Sequence, residues 1–156
     1  MKTSFLGVDL HHRLAILVPD EDFRVKICKA LENPLKDKEF GLRMISATDF
    51  ARSLGHKKDD KYRLSAIIVD TVEAMSGMEA LVVFGVGLDK KIEKDDGVVR
   101  CLIYKAMTRA HLTFNLINEH VGGGWLEWIQ HAKLTSDGNE LKFDNNDKEQ
   151  VWTRQS

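Results

Sequence analysis

Short apolar runs separated by polar stretches at helical spacing recur along this 156-residue chain. Residues 14–18, LAILV, are apolar without interruption and stop at Pro19 and Asp20, the pattern of a strand covered on both faces within a parallel sheet. Asp20 can cap a helix, Glu21 and Asp22 suit its positive end, and Phe23, Ile27, Ala30 and Leu31 predict that this helix runs until Asn33 and Pro34. Residues 40–45 predict a second strand, weakened by Gly41 and Arg43, and residues 48–54 a short capped helix closed by Gly55. Beyond a charged loop at 56–61, Leu64, Ala66, Ile67, Ile68 and Val69 predict a third buried strand ending at Asp70.

A turn at residues 71–79 leads into the most apolar run of all, 80–86, expected to be the central strand, with the charged stretch 89–96 on the surface behind it. Val98, Val99, Leu102, Ile103, Ala106 and Met107 predict one apolar helix face. Leu112, Phe114, Leu116 and Ile117, alternating with His111, Thr113 and Asn115, predict a fifth strand. Gly122, Gly123 and Gly124 break the chain before an amphipathic segment at 125–132. Repeated strand–helix alternation with short connections predicts an α/β fold whose parallel sheet carries helices on both faces, since parallel neighbours need crossovers. Residues 1–134 read as one domain, and residues 135–156 as a polar tail that is either disordered or a small hairpin turning at Asp137 and Gly138.

Charge narrows the functions. With 23 basic and 24 acidic side chains the formal net charge is -1, so no global field draws the chain to nucleic acid or to an anionic membrane, and any such contact is local. Cys28 and Cys101 lie far apart without metal-ligand spacing, which argues against a disulfide framework or a zinc site and favours a reducing cytoplasm or nucleus. No stretch has the roughly 18 apolar residues of a membrane span, and the first ten residues do not read as a targeting segment.

Two segments carry candidate chemistry. In residues 71–79, TVEAMSGME, expected at the C-terminal edge of the sheet where open α/β sheets bind ligands, Gly77 allows a close backbone approach and Glu79 can accept hydrogen bonds from ribose hydroxyls. In residues 102–110, LIYKAMTRA, a helix runs straight into a strand and Arg109 can present its rigid fork to a phosphate. Each has a plainer reading when taken singly: Gly77 as a turn residue, Glu79 as a solvated carboxylate, Arg109 as a helix-ending cation paired with a surface acid.

Their order and spacing resemble motifs V and VI of superfamily 1 helicases. Thr71, Gly77 and Glu79 stand where motif V has Thr and then Gly-x-Glu ahead of a hydrophobic strand; Tyr104, Ala106, Thr108, Arg109 and Ala110 match the Tyr/Asn, Ala-x-Thr-Arg-Ala of motif VI. The strand and helix at 14–32 are similar to those preceding motif V in UvrD-like helicases, and the resemblance covers roughly residues 13–118. It implies a RecA-like (P-loop NTPase-like) three-layer domain, the second motor half of a helicase. Arg109 would then be an arginine finger on the γ-phosphate, with Glu79, Gly77 and Tyr104 about the nucleotide, and Thr71 and Thr108 would face single-stranded DNA or RNA or the phosphate network. Residue 73 is Glu and residue 76 Ser where UvrD-type chains carry His and Lys. The run is nearer to Thr-Val-Asp-Ser-Phe-Gln-Gly-x-Glu of the second superfamily 1 branch, and a carboxylate at Glu73 would repel phosphate.

No Gly-x-x-x-x-Gly-Lys-Ser/Thr occurs in the sequence, so this chain holds half an ATP site at most. ATP and Mg are expected only together with an absent first RecA-like domain, in a longer chain or in trans, and none is retained by this chain alone. An alternative of another class is a non-catalytic protein-interaction module on the same fold, favoured by Glu73 and the poor basic balance. A receiver-type domain would use Asp20 and Asp70 as an acidic phosphoacceptor cluster, without an evident Lys partner. Gly85 and Gly87 lack the third glycine and following helix of a dinucleotide fingerprint; His11 and His12, adjacent in sequence, point opposite ways in an extended chain; Trp125 and Trp128 read as packing rather than base-stacking residues.

Overall fold

Burial on both faces at strand after strand dictates the architecture. The computed structural model describes residues 13–36, 42–53, 66–90, 97–130, 132–134 and 141–143. Its elements are β1 (Leu14–Val18), α1 (Glu21–Lys36), β2 (Arg43–Ile45), α2 (Ala47–Ser53), β3 (Ala66–Thr71), β4 (Ala80–Val86), α3 (Gly97–Met107), β5 (Ala110–Ile117), α4 (Trp125–Gln130), β6 (Ala132–Leu134) and β7 (Leu141–Phe143). The first five strands form one all-parallel sheet in the order β2-β3-β1-β4-β5. The tail residues 132–134 and 141–143 pair antiparallel as β6 and β7, the small hairpin that Asp137-Gly138 suggests, although the turn itself lies outside the described residues.

Alternation along the strands divides the core between the two faces. Leu14, Ile16, Ile67, Val69 and Phe84 face α1, which lays Ile27, Cys28 and Leu35 on them. Ala15, Leu17, Ile68 and Val83 face the opposite way, onto Ala47 and Phe50 of α2, Leu102, Ile103 and Ala106 of α3, and Val72 and Met75 of the turn after β3. The result is a three-layer α/β fold with helices on both faces of a parallel sheet.

Several expectations need correction. The middle strand is β1, flanked by β3 and β4, so the more apolar β4 is interior but not central. The first helix passes Asn33 and continues to Lys36, because Pro34 falls in the last turn, where its missing N–H forfeits a single intrahelical bond and the chain is about to leave the helix anyway. Strand β2 begins only at Arg43, and the expected residues 40 and 41 lie outside the described residues, as do Leu54, Gly55, the loop at 56–61 and Leu64. The apolar face of α3 is narrower than its sequence suggests: Val99 and Ala106 are buried, whereas Val98 is 74% exposed and Met107 also faces outward. Within β5 the alternation is interrupted too. Ala80 pairs with Ala110 but Val82 with Thr113, so β5 carries one extra residue across His111 and Leu112, and Leu112 is exposed.

Candidate functional site

The two edges of the sheet differ in how their polar groups are used. At the C-terminal edge the helices begin, and a helix N-terminus is a natural anion site. Here the chain's own carboxylates fill three of them. Asp20 Oδ1 accepts from Phe23 N at 2.8 Å and caps α1. Asp70 is buried at the end of β3, accepting from Ala47 N, the first amide of α2, and from Thr71 N, both at 2.8 Å. Ser46 completes that start, its Oγ accepting from Asp49 N at 3.0 Å while donating to Asp49 Oδ2 at 2.8 Å. Asp20 and Asp70 therefore act as caps, and the phosphoacceptor cluster of the receiver reading is replaced by structural use; Arg24, held bidentately by Glu21 at 2.5 and 2.7 Å, stands 4.0 Å from Asp70.

Asp89 is the third. Its place in the charged stretch 89–96 predicts a surface position, but Asp89 is only 5% exposed, and residues 91–96 lie outside the described residues. Its Oδ1 accepts from Trp125 N at 2.7 Å and its Oδ2 from Leu126 N at 3.0 Å, which caps α4 from a residue 36 positions away, and Asp89 N donates to Asn118 Oδ1 at 3.0 Å. The glycine run serves this contact: a Cβ on Gly124 would stand 2.6 Å from Asp89 Oδ2 and 2.9 Å from Val121 O, so only glycine lets the loop close over the carboxylate.

The expectation that residues 71–79 sit together at the C-terminal edge is also corrected. Thr71 is level with Val18, and Leu17 with Gly85, so Thr71 stands level with the end of β4, across β1, whereas Glu79 immediately precedes its start. The segment between them travels back along the sheet, because a parallel partner can only be entered from the N-terminal edge. The two candidates are separated by about 20 Å along the strand direction. Thr71 Oγ1 is used locally, accepting from Ala74 N at 3.1 Å.

Glu79 and Arg109, by contrast, are brought together at the N-terminal edge. Each directly precedes its strand, Ala80 and Ala110 are register partners, and Ala80 N donates to Arg109 O at 2.9 Å. Arg109 is half-buried, and its guanidinium makes long contacts to neutral acceptors: Met78 O at 3.4 Å, Lys105 O at 3.4 Å and Thr108 Oγ1 at 3.2 Å. Among the described residues it forms no ion pair, so no described carboxylate neutralises it. Thr108 Oγ1 also donates to Lys105 O at 2.8 Å, and Tyr104, exposed in the last turn of α3, offers its carbonyl to Thr108 N. Gly77 has a φ of +78°, and a Cβ there would meet nothing within 4 Å, so its requirement is the left-handed turn and not a crowded approach.

Two further residues belong to this rim, and neither stands out in the sequence. Lys105 Nζ meets Glu73 Oε1 at 2.8 Å, and that hydrogen-bonded carboxylate raises the ammonium above its ordinary pKa; Glu73 is thus partnered rather than a bare negative charge facing a phosphate. His111 Nε2 lies 2.6 Å from Glu79 Oε2. Register pairs Ala80 with Ala110, which sets Arg109 level with Glu79 and His111 further along β5 at its extra residue, so only a correct pairing of β4 with β5, bulge included, could have supplied the signal.

Among the described residues no three His, Cys, Asp or Glu side chains are placed to hold a metal ion, and no helix is long and apolar enough to cross a membrane. His11 and His12 lie outside the described residues, as does the side chain of Trp128. No protein-family model matches the chain, and no curated protein matches it in sequence.

Proposed function

We propose that the chain is the second motor domain of a superfamily 1 helicase-like protein, supplying an arginine and a ribose contact to an ATP site that a first RecA-like domain completes. The observation that carries this reading is the pair at the N-terminal edge: Glu79 and Arg109 on neighbouring strand starts, with the guanidinium free of any described carboxylate. On this reading Arg109 faces the γ-phosphate, where a fixed cation stabilises the charge that develops as the phosphoryl group transfers. Glu79 takes the sugar hydroxyls, and Gly77 and Tyr104 shape the surface around them. Thr108 adjoins the arginine, and Thr71, on the far edge, is left to single-stranded DNA or RNA. The partner domain brings the phosphate-binding loop. ATP and Mg are held only together with that first domain. Such a protein works in the cytoplasm or nucleus.

The test is ATP turnover in a mixture of this chain with a phosphate-loop RecA-like domain of a superfamily 1 helicase. Turnover should rise on mixing, and Arg109→Ala should lower it by roughly 10³–10⁵-fold; equal turnover by the two proteins would show that Arg109 has no such role. A second reading, a non-catalytic interaction module, is favoured by the apolar side chains that α3 and β5 leave outside, Val98, Tyr104, Leu112 and Ile117. It gains if mixing yields a complex whose ATPase is indifferent to both Arg109 and Glu79.

A further inference from the structure

We propose that His111 is a positioning residue for the sugar contact, holding the Glu79 carboxylate by Oε2 at 2.6 Å so that Oε1 is presented to a ribose hydroxyl. This rests on the reading of Glu79 as the ribose contact. Both side chains are more than half exposed, 61% for His111 and 53% for Glu79, and a polar contact so exposed contributes little to stability. Its consequence is orientation. A glutamate at the edge of a sheet samples several rotamers, and fixing it in advance lowers what ordering costs when a ligand binds.

The backbone arranges the encounter. Regular pairing would carry the alternation of β5 unbroken from Ala110, but the extra residue relative to β4 falls across His111 and Leu112, the position at which the imidazole reaches Glu79. Bulges commonly re-aim a side chain next to a functional site. Among the described residues His111 is the sole polar partner of the Glu79 carboxylate, which leaves Oε1 without a described donor. The neighbouring Arg109 donates to Met78 O, one residue before Glu79, so the guanidinium and the carboxylate share one rim, as contacts to the terminal phosphate and the sugar of one nucleotide require. A sugar whose hydroxyls donate to a pre-oriented carboxylate is a ribonucleoside, so the pair selects ribonucleotides against nucleotides that lack the 2′- and 3′-hydroxyls.

The experiment measures amide chemical-shift perturbation in the full chain titrated with millimolar ATP, ADP and 2′,3′-dideoxyATP, a range suited to half a site. Wild type should prefer ATP to 2′,3′-dideoxyATP by about tenfold, the worth of one charge-assisted hydrogen bond. His111→Ala and Glu79→Gln should each bring that preference within about twofold, while the preference for ATP over ADP, which reads Arg109, stays as in wild type. His111→Gln, whose amide can still donate to the carboxylate, should recover most of the sugar preference; a merely structural role would move both preferences together. If His111→Ala keeps the full sugar preference that Glu79→Gln abolishes, the positioning role is overturned and the reading of Glu79 stands. If wild type does not distinguish the two sugars, the reading of Glu79 falls and takes the role of His111 with it.

Discussion

Replacing Asp89 tests whether a carboxylate placed after one strand holds the helix that follows the next. The group is buried and receives Trp125 N at 2.7 Å and Leu126 N at 3.0 Å. These amides open α4 and have no intrahelical acceptor, so nothing else in the helix can satisfy them. Loss of a cap costs about 1–2 kcal/mol, and a second amide left unpaired adds about 1–2 kcal/mol, which puts Asp89→Ala near 3 kcal/mol of destabilisation by the same rules. At a urea slope of about 2 kcal/mol/M the unfolding midpoint should fall by about 1.5 M. Asp89→Asn is the sharper change: the shape is kept, but its amide hydrogens face one of the two N–H donors, and about 2 kcal/mol is expected. Gly124→Ala approaches the same contact from the other side, since its Cβ would sit 2.6 Å from Asp89 Oδ2. Its cost should shrink in the Asp89→Ala background, though not vanish, because Val121 O at 2.9 Å remains in the way. Urea unfolding followed by tryptophan fluorescence measures the four variants against wild type. A midpoint for Asp89→Ala within about 0.3 M of wild type would refute the capping argument.

Two further predictions concern titration and reactivity. Glu21 is held below the ordinary glutamate value of 4.5, first by its hydrogen bonds from Arg24 and then by that residue's charge. A lowered folded-state pKa contributes stability that is present above the unfolded value and is lost as pH falls through the folded one. The difference in urea midpoint between wild type and Glu21→Gln should therefore close as pH falls below the ordinary value of 4.5, and a difference unchanged on acidification would contradict the pairing. Cys101 is exposed, whereas Cys28 is half-buried and burial pushes its thiol up. A disulfide reagent at mildly alkaline pH should modify Cys101 first, with Cys28 at least roughly tenfold slower, and equal rates in single-cysteine variants would contradict it.

How far the sequence leads depends on what sets each feature. β1, β3 and β4 are legible because a strand buried on both faces must be apolar throughout, and LAILV, AIIVD and ALVVFGV have almost no alternative reading. The order of the strands is not, since apolar content says that a strand is interior without saying beside which neighbour. Asp89 departs from its expected surface position because a charge pattern records the average fate of charged residues, while its burial depends on two amides contributed 36 and 37 positions later. The separation of Thr71 from Glu79 is a consequence of parallel topology alone: the segment joining two parallel strands has to cross from one edge to the other, so its ends cannot share a rim. His111 escapes notice because its partner is set by register and by a bulge, neither of which leaves a trace in composition.

The contrast between the two edges also decides how strongly this chain could hold a triphosphate unaided. An open α/β sheet usually draws anions to its C-terminal edge, where helix N-termini supply unpaired amides, but here Asp20, Asp70 and Asp89 already occupy the amides of α1, α2 and α4. An incoming phosphate would have to displace a carboxylate that the chain holds at its own effective concentration. At the opposite edge α3 ends, and a helix C-terminus presents carbonyls and partial negative charge, which repels phosphate. Arg109 counters that field and meets two carbonyls with its own N–H groups, Lys105 O and Met78 O, which uses part of its donor capacity. On the proposed reading its attraction for a γ-phosphate is therefore enough to choose among bound states but weak enough that the chain alone holds a nucleotide only at millimolar concentration. That is the division of labour a shared site requires: the partner's loop binds, and this rim responds only once the phosphate is in place.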